Sequence, residues 1–489
     1  MFGMSDMTLS FEGSFGNYMS SRGHEIDFLL CNAGLDSCIF DSKEHLKQRR
    51  GFKEKLNRTV KCNFCYLNAK RVISTFNFPH RILDLSKFEI DKDFCCSVEE
   101  HAISTTMRNL LIGRFEHDSD AYEVMKEYDS SGRAYASRLS TLFNRENYDL
   151  VLCVHGIYLE HGVLIDVARK FDISVYIYGF PYRNSTFQIF KNDTYHRAIF
   201  EIPQSHWESF NFNELSYSVV NEYLMSKSTG GRDQVNYHPN PVLFKDDVLN
   251  ELGLADGSKV TTFYTNVLWD ANIFYGDSLF DGGIEGALVF LINEFIRKPD
   301  EFLIIRIHPA ESKGGFATNK TFLSVIGDYF PELPANIVLI DASSNISSYT
   351  LASLSHNNII YGSNIGLELA CRGFVVTVIG DAFIKGLPFV YTPKSLDELS
   401  ALLFDVNLVL TEDNRLLALK YFYFINFRVS IDLDFGRYNA LSLIQEEEDN
   451  FKEALMNNFD SMNFQVLAEQ MEEDVDFLDY RKFNLGLYE

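Results

Sequence analysis

Two apolar runs that stop abruptly at polar residues constrain this chain most. The sequence FLIIRIHP covers residues 302–309, and IIYGSNIGLELACRGFVVTVIG covers residues 359–380. In an open parallel α/β sheet, a buried strand ends in this way at the carboxyl edge, where ligands bind. The first run brings Arg306 and His308 to that edge, and the second brings Ser363 and Asn364 to a helix start. Because free amides and the dipole at a helix start favour anions, the pattern predicts a nucleotide phosphate site.

The composition limits the class of protein. The chain has 489 residues, 46% hydrophobic and 23% charged, which is ordinary for a globular protein of two to four domains. It lacks an apolar run of membrane-spanning length, and a basic region with an apolar core is absent from the start. We therefore expect a cytoplasmic protein, with any membrane association peripheral at the inner face. A formal net charge of -24 argues against a nucleic-acid partner.

Strand and helix signals alternate in two separate halves of the chain. This pattern predicts an α/β fold with two Rossmann-like parallel-sheet domains that face a cleft. A stretch rich in Gly, Ser, Asn and Pro before Pro241 marks the boundary. The predicted segments are 1–235, 236–410 and an acidic C-terminal segment, 411–489. Apolar residues such as Phe464 and Leu467 alternate with the acidic ones there, which favours amphipathic helices over a disordered tail.

A basic cluster stands out against the acidic remainder. Its members are Lys43, Lys47, Arg49, Arg50, Lys53, Lys55, Arg58 and Lys61. A basic helix of this kind could contact anionic lipid or an acidic glycan. A merely solvated helix face is the commoner meaning of a charge run.

Four cysteines near the start allow a metal site. Cys31 and Cys38 precede the CxxC pair Cys62 and Cys65, and four thiolates can hold zinc tetrahedrally. The spacing of Cys31 and Cys38 is too wide for a zinc knuckle, so buried structural thiols are the favoured alternative. Disulfides are not expected in a reducing cytoplasm.

Three motifs in order resemble a known family. They are TNVLWDA at 265–271, RIHPAE at 306–311 and YGSNIGLELACRGFVVTVIGDAF at 361–383. Together they resemble the capsule polysaccharide biosynthesis family, densely over 259–387 and more weakly over 20–400. The resemblance implies a GT-B glycosyltransferase that needs no cofactor and transfers a sugar such as Kdo from a CMP-activated donor. It also implies that the first domain takes a glycan or lipid-linked glycan acceptor and the second binds the nucleotide sugar.

The donor side has one residue with a role implied by the resemblance. In similar enzymes an HP motif contacts the CMP phosphate, which assigns that role to His308; a satisfied strand-end histidine is the alternative. Arg306 could add charge at the phosphate or pair with Glu311 or Glu368, and Glu368 could bind ribose hydroxyls or only stabilise its helix. The full set of predicted donor-binding residues is Asn266, Asp270, Arg306, Ser363, Asn364, Glu368 and Lys385. Asp270 could equally be a helix N-cap.

The acceptor side has two predicted catalytic residues. His155 stands at a strand end, and a histidine with a pKa near the operating pH is a suitable general base. Glu160 could serve instead or orient His155, and a structural histidine is the alternative. Other functions stay open on the sequence: an NDP-sugar-dependent transferase, a polyol-phosphate transferase, or a non-catalytic scaffold of a polysaccharide assembly complex.

Overall fold

The chain forms two compact α/β units. The computed structural model describes residues 6–40, 52–117, 119–183, 186–208, 210–229, 233, 241–269, 279–312, 321–432 and 462–474. Unit 1 holds the described residues of Met1–Leu110, Phe115–Ala198 and Arg428–Asn484, and unit 2 holds those of Leu111–Arg114 and Ile199–Phe427. The predicted α/β fold class is confirmed. Within the described ranges, the helices are all too short or too polar to cross a membrane.

Unit 1 contains helices and two separate groups of paired strands. In chain order its elements are α1 (Asp6–Ser21), β1 (Asp27–Leu30), α2 (Phe52–Ile73), β2 (Arg81–Asp84), α3 (Glu99–Leu110), α4 (Asp120–Arg145), β3 (Leu150–Val154), α5 (Leu159–Lys170), β4 (Ser174–Gly179), β5 (Thr186–Lys191) and α6 (Tyr195–Phe200). Strands β1 and β2 pair in parallel, as do β3 and β4. The predicted basic segment is described only from residue 52, where α2 begins.

The larger sheet of unit 1 is mixed, which corrects the expected all-parallel arrangement. Strand β5 pairs antiparallel to β4, with Ile177 opposite Phe190. The physical reason is the short connection between these strands, because a parallel pair needs a crossover of a dozen or more residues.

Unit 2 is built around one parallel sheet. Its elements are α7 (Gln204–Glu208), α8 (Glu214–Thr229), α9 (Lys245–Leu252), β6 (Val260–Tyr264), α10 (Gly283–Ile296), β7 (Phe302–Arg306), α11 (Phe322–Tyr329), β8 (Ile337–Ile340), α12 (Ser348–Leu354), β9 (Asn357–Ile360), α13 (Ile365–Cys371), β10 (Val376–Val378), α14 (Leu396–Leu403) and α15 (Glu412–Tyr423). The strand order is β10-β9-β6-β7-β8, and every neighbouring pair is parallel. The chain therefore reverses its direction of winding between β6 and β9, as in a doubly wound fold.

Helices cover both faces of this sheet. On one face, Leu288, Leu291 and Phe295 of α10 pack at helical spacing against buried strand residues such as Ile305. On the other face, α9 and α12 cover Ile304 and Ile340 of the neighbouring strands. Burial on both faces explains why β6, β7 and β9 are continuous apolar or β-branched runs rather than alternating ones.

The C-terminal part of the chain returns to unit 1. Strand β11 (Ile431–Asp432) pairs antiparallel to β5, and helix α16 (Met462–Glu472) packs on α1. Phe464 makes ring contacts with Phe11, Phe15 and Tyr18. The predicted amphipathic helix is thus present at 462–472; the rest of the acidic segment lies outside the described residues.

The compact units divide the chain differently from the three segments expected from sequence. The sequence predicted that the first domain ends at residue 235. In the structure, apart from the short segment Leu111–Arg114, the chain passes from unit 1 into unit 2 after Ala198. The reason is packing, because α7 and α8 lie against α15. The described part of 411–489 is shared between the units, with α15 in unit 2 and α16 in unit 1.

Within unit 1, an ion pair that we call the clamp joins the end of α16 to the residues that follow α1. Arg22 donates to both carboxylate oxygens of Glu472, at 2.8 Å and 2.5 Å, and the His24 ring lies 2.9 Å from one of them. The hydrogen bonds from Arg22 lower the pKa of Glu472 to about 2, from an ordinary 4.5. The clamp therefore stabilises the fold above pH 4.5 and loses that effect as the pH falls towards 2.

We expect Glu472→Gln to lower the free energy of unfolding of unit 1 by about 1 kcal/mol at pH 7, since the pair is bidentate but close to solvent. Urea unfolding at pH 7 and pH 3 measures this, and the difference from the parent should shrink at the lower pH. Glu469→Gln, on an exposed turn of the same helix, is the matched control. An equal loss at both pH values would show that the clamp is not the cause.

Candidate functional site

The topology of unit 2 locates the candidate site at one edge of the sheet. Doubly wound sheets bind ligands beyond the carboxyl ends of the two strands where the winding reverses, here β6 and β9. Asn266 follows β6, Gly362 follows β9, and the Gly362 amide donates to Asn266 Oδ1 at 3.0 Å. A Cβ at position 362 would lie only 3.0 Å from the Asp381 carbonyl, so the approach of these loops needs glycine. Asn266 thus lies at the reversal itself.

His308 lies at the same edge, after the neighbouring strand β7. Its backbone amide donates to Thr265 Oγ1 at 3.0 Å, which ties the ends of β6 and β7 together. The Ala310 amide donates to His308 Nδ1 at 3.1 Å. Because Nδ1 accepts this hydrogen bond, the neutral ring carries its proton on Nε2. The turn at Pro309–Ser312 therefore fixes His308 in the tautomer that can donate through Nε2.

Ser363 and Asn364 stand where the chain leaves β9 and enters α13. Asn364 is the N-cap of this short helix and makes no side-chain capping bond. Their own carbonyls accept from Gly366 and Leu367. A Cβ at Gly366 would lie 2.4 Å from the Ile360 side chain, so this glycine lets α13 approach its strand. The structure thus groups Asn266, His308 and the start of α13 along adjacent strand ends.

Arg306 is buried beneath this edge. It is 2% exposed, and its guanidinium donates to the carbonyls of Asp341 at 2.6 Å and Ser344 at 3.1 Å, in the loop after β8. Burial lowers the pKa of Arg306 to about 10, so the side chain stays charged at neutral pH. These contacts support the loop after β8.

Glu311 is the buried carboxyl of the same turn. Its Oε1 accepts from the Phe322 amide at 2.8 Å, at the first residue of α11. Burial raises the pKa of Glu311 to about 7. The residue anchors α11 to the turn that carries His308.

Glu368 belongs to a buried network that the sequence did not reveal. The Lys227 ammonium lies 3.1 Å from Glu368 Oε1 and 2.6 Å from Asp233 Oδ2. Tyr349 donates to Glu368 Oε2 at 2.5 Å, and Tyr223 donates to Asp233 Oδ1. Burial acts to lower the pKa of Lys227, but the carboxylates outweigh it and the pKa stands well above its usual value. Both oxygens of Glu368 thus have protein partners, so any contact with ribose would share them.

The remaining predicted donor residues are placed as follows. Lys385 Nζ donates to Asp381 Oδ1 at 2.7 Å, in the loop that follows β10 at the same edge. Asp270 lies outside the described residues, so neither of its predicted roles has a structural observation. Trp269, one residue earlier, is buried with Val267, Leu111 and Ala310.

In unit 1, His155 ends β3 in an unusual backbone conformation. Its φ is +68°, a left-handed value that is strained for a non-glycine residue, and Gly156 follows at +82°. The His155 amide donates to the Tyr178 carbonyl at 2.8 Å, and its ring stacks on Tyr158 at 5.1 Å between centroids. Burial lowers the pKa of His155 to about 4, with Arg108 adding to the effect. The imidazole is therefore neutral at pH 7, but its pKa lies below the value near the operating pH that the predicted general base calls for.

Glu160 is buried in the first turn of α5. Its Oε1 accepts from the amide of Ile39, in the loop after β1. This contact ties the start of α5 to the loop after β1, which is a structural role. Glu160 lies just beyond the β3–α5 connection that carries His155.

The four N-terminal cysteines are half-buried and form no disulfide. Burial raises the pKa of Cys31 to about 11, and the neighbouring Cys62 and Cys65 thiols add to the effect. Among the residues that the structure describes, no group of three or more His, Cys, Asp or Glu is arranged to hold a metal ion. Zinc is not part of the function that we propose.

Thr265, Lys227 and Tyr349 are the residues of this site that sequence reasoning missed. Thr265 ends a predicted strand in a motif that was already noted, so its place beside His308 could have been inferred from the parallel register. Lys227 lay in the stretch assigned to an interdomain linker, and no local pattern links it to Glu368.

No protein-family model matches the chain, and no curated protein matches it. Solved structures do match. They include Thermosulfurimonas dismutans KpsC, a beta Kdo 2,4 transferase, at 12% identity and TM-score 0.35, covering 53% of this chain and 75% of that one. The wall teichoic acid polymerase TagF matches at 15% identity and TM-score 0.21, over 47% and 46%. A Neisseria meningitidis UDP-GlcNAc 2-epimerase bound to UDP-GlcNAc matches at 14% identity and TM-score 0.26, over 80% and 88%.

Proposed function

We propose that this chain is a GT-B-type glycosyltransferase of capsule or other surface polysaccharide synthesis. The donor is a CMP-activated ulosonic acid such as Kdo, and the acceptor is a glycan or lipid-linked glycan. The observation that carries the proposal is the donor-side edge of unit 2. There, a histidine held in its Nε2–H tautomer lies beside the strands at which the winding of the sheet reverses.

The proposed chemistry assigns one task to each group. The acceptor hydroxyl attacks the anomeric carbon, the bond from that carbon to the phosphate oxygen breaks, and CMP leaves with the electron pair. His308 donates from Nε2 to the phosphate oxygen as negative charge develops, a form of electrostatic stabilisation that needs no metal. Asn266, Ser363 and Asn364 bind the donor beside it. The base on the acceptor side is the predicted His155 of unit 1, which burial keeps neutral.

Nucleotide binding tests the donor assignment. We expect CMP to raise the melting temperature of unit 2 by roughly 5 °C at a hundred times its Kd, since such saturation adds about 2.7 kcal/mol. Differential scanning calorimetry with CMP, CDP, UDP and GDP, each with and without magnesium, makes the measurement.

Each outcome has a defined meaning. A shift selective for CMP supports an ulosonic-acid donor, and a shift selective for UDP or GDP replaces the donor with an NDP-sugar. Transfer of phosphorus into the product would instead identify a polyol-phosphate transferase. A folded protein that responds to no nucleotide would contradict the catalytic proposal and favour a scaffold.

A further inference from the structure

The outward side of α2 carries large apolar side chains that the core does not use. Val60, Phe64 and Leu67 are 61%, 62% and 64% exposed. Positions separated by four and three residues lie above one another on a helix, so the three side chains form one stripe. The inward side of the same helix is already buried, with Ala69, Val72 and Ile73 in the core beside β1. The helix is therefore apolar on two sides, and only one is explained by folding.

This stripe is bordered by positive charge. Lys61 follows Val60, and the exposed Lys70 and Arg71 lie one turn beyond Leu67. Lys61 donates to the Phe40 carbonyl, and Lys70 lies over the Tyr66 ring and close enough to Asp84 to help lower the pKa of that carboxyl. We call Val60, Phe64, Leu67, Lys61, Lys70 and Arg71 together the α2 face.

This positive charge is confined to one stretch of a chain that is acidic as a whole. No acidic residue occurs between Glu54 and Asp84, although the chain contains 68 acidic residues and has a net charge of -24. In sequence, Lys47, Arg49 and Arg50 come shortly before the helix. A positive surface on such an acidic protein attracts an anionic partner to this side of the helix.

We propose that the α2 face binds the surface of a membrane that contains anionic lipid. Helices that lie in a membrane interface combine exposed apolar side chains, which enter the acyl boundary, with lysine and arginine at the headgroups. An acidic glycan would engage the lysines but would leave Val60, Phe64 and Leu67 in water. A second copy of this chain would bring its own large negative charge. Of these three partners, only anionic lipid accounts for both the exposed apolar side chains and the positive charges. The inference does not depend on whether the proposed donor is correct.

Sedimentation of the full-length protein with vesicles tests the proposal. We expect binding to phosphatidylglycerol-containing vesicles, little binding to phosphatidylcholine alone, and weaker binding as salt is raised, because salt screens the cations. Phe64→Ser/Leu67→Ser should reduce binding at least tenfold by removing the apolar contact. Lys70→Glu/Arg71→Glu should reduce it at least as much and remove the salt dependence.

Matched variants separate this surface from general effects. Val409→Ser removes an apolar side chain that is 65% exposed in unit 2, and Lys92→Glu/Lys394→Glu makes the same change in net charge at exposed sites elsewhere. Both should bind vesicles as the parent does, and all variants should keep the parent's melting temperature since the altered side chains are exposed. Unchanged vesicle binding by Phe64→Ser/Leu67→Ser would overturn the proposal. So would binding to a soluble acidic polysaccharide but not to vesicles, or a self-association that this variant abolishes.

Discussion

Replacing His308 with alanine is expected to lower turnover with a CMP-activated donor by about 10²–10³-fold, the usual cost of one lost donor to a developing negative charge. The substitution removes the Nε2–H group while leaving the strand ends in place, since the backbone amide still donates to Thr265 Oγ1. The affinity for CMP should fall as well, because CMP carries the phosphate to which His308 would donate. Steady-state kinetics and calorimetric titration with CMP measure the two effects.

Two further variants make the His308 result specific. His308→Gln keeps an N–H donor near the position of Nε2, so it should recover part of the lost affinity. His117→Ala removes an exposed histidine elsewhere and should leave both quantities unchanged. The loss of the Ala310 hydrogen bond should cost about 1 kcal/mol of stability, too little to unfold the chain. If the alanine variant binds CMP and turns over as the parent does, His308 is not at the donor phosphate.

Lys227→Met is expected to lower the free energy of unfolding of unit 2 by about 3–5 kcal/mol, the range for removing one partner of a buried ion pair. The ammonium lies between the carboxylates of Glu368 and Asp233, so its loss leaves two negative groups facing each other inside the protein. Burial already raises the pKa of Asp233 and Lys227 opposes that rise, so without Lys227 this carboxyl is more readily protonated. The destabilisation should therefore shrink as the pH falls.

The control for Lys227 is a lysine with a similar but exposed pair. Lys245 lies 2.8 Å from Asp256, with both side chains largely in solvent, so Lys245→Met should cost much less stability than Lys227→Met. Adding Glu368→Gln to Lys227→Met should restore part of the stability by removing one of the opposed charges. Urea unfolding of the parent and the three variants from pH 5 to pH 8 measures these differences. A loss for Lys227→Met no larger than for Lys245→Met would show that the network carries little energy.

Much of unit 2 could be predicted because its signals are local. The run 302–309 contains β7, and the run 359–380 contains the end of β9, helix α13 and β10. Strands buried on both faces are continuous apolar runs, and such runs are easily recognised. The carboxyl-edge positions of Asn266, His308 and Asn364 followed from where these runs end.

The parts that sequence could not supply depend on distant pairings. Strand β11 has two residues and owes its existence to β5, which lies far from it in sequence. The partners of Glu368 come from α8 and α12, and the carbonyls that accept from Arg306 lie in the loop after β8. In both cases the residue was identified as important, but its partner was set by tertiary packing, which leaves no mark in the local pattern.

The return of the C-terminal part of the chain to unit 1 has a consequence for biosynthesis. Among the described residues, all those of unit 2 have been synthesised once translation has passed Phe427. Unit 1 must wait for β11 and for α16, whose Phe464 contacts Phe11 and Phe15. Until then, the aromatic rings of α1 lack one of their packing partners, and exposed apolar surface of this kind invites chaperones or aggregation. The described part of the second unit is therefore complete in sequence before that of the first.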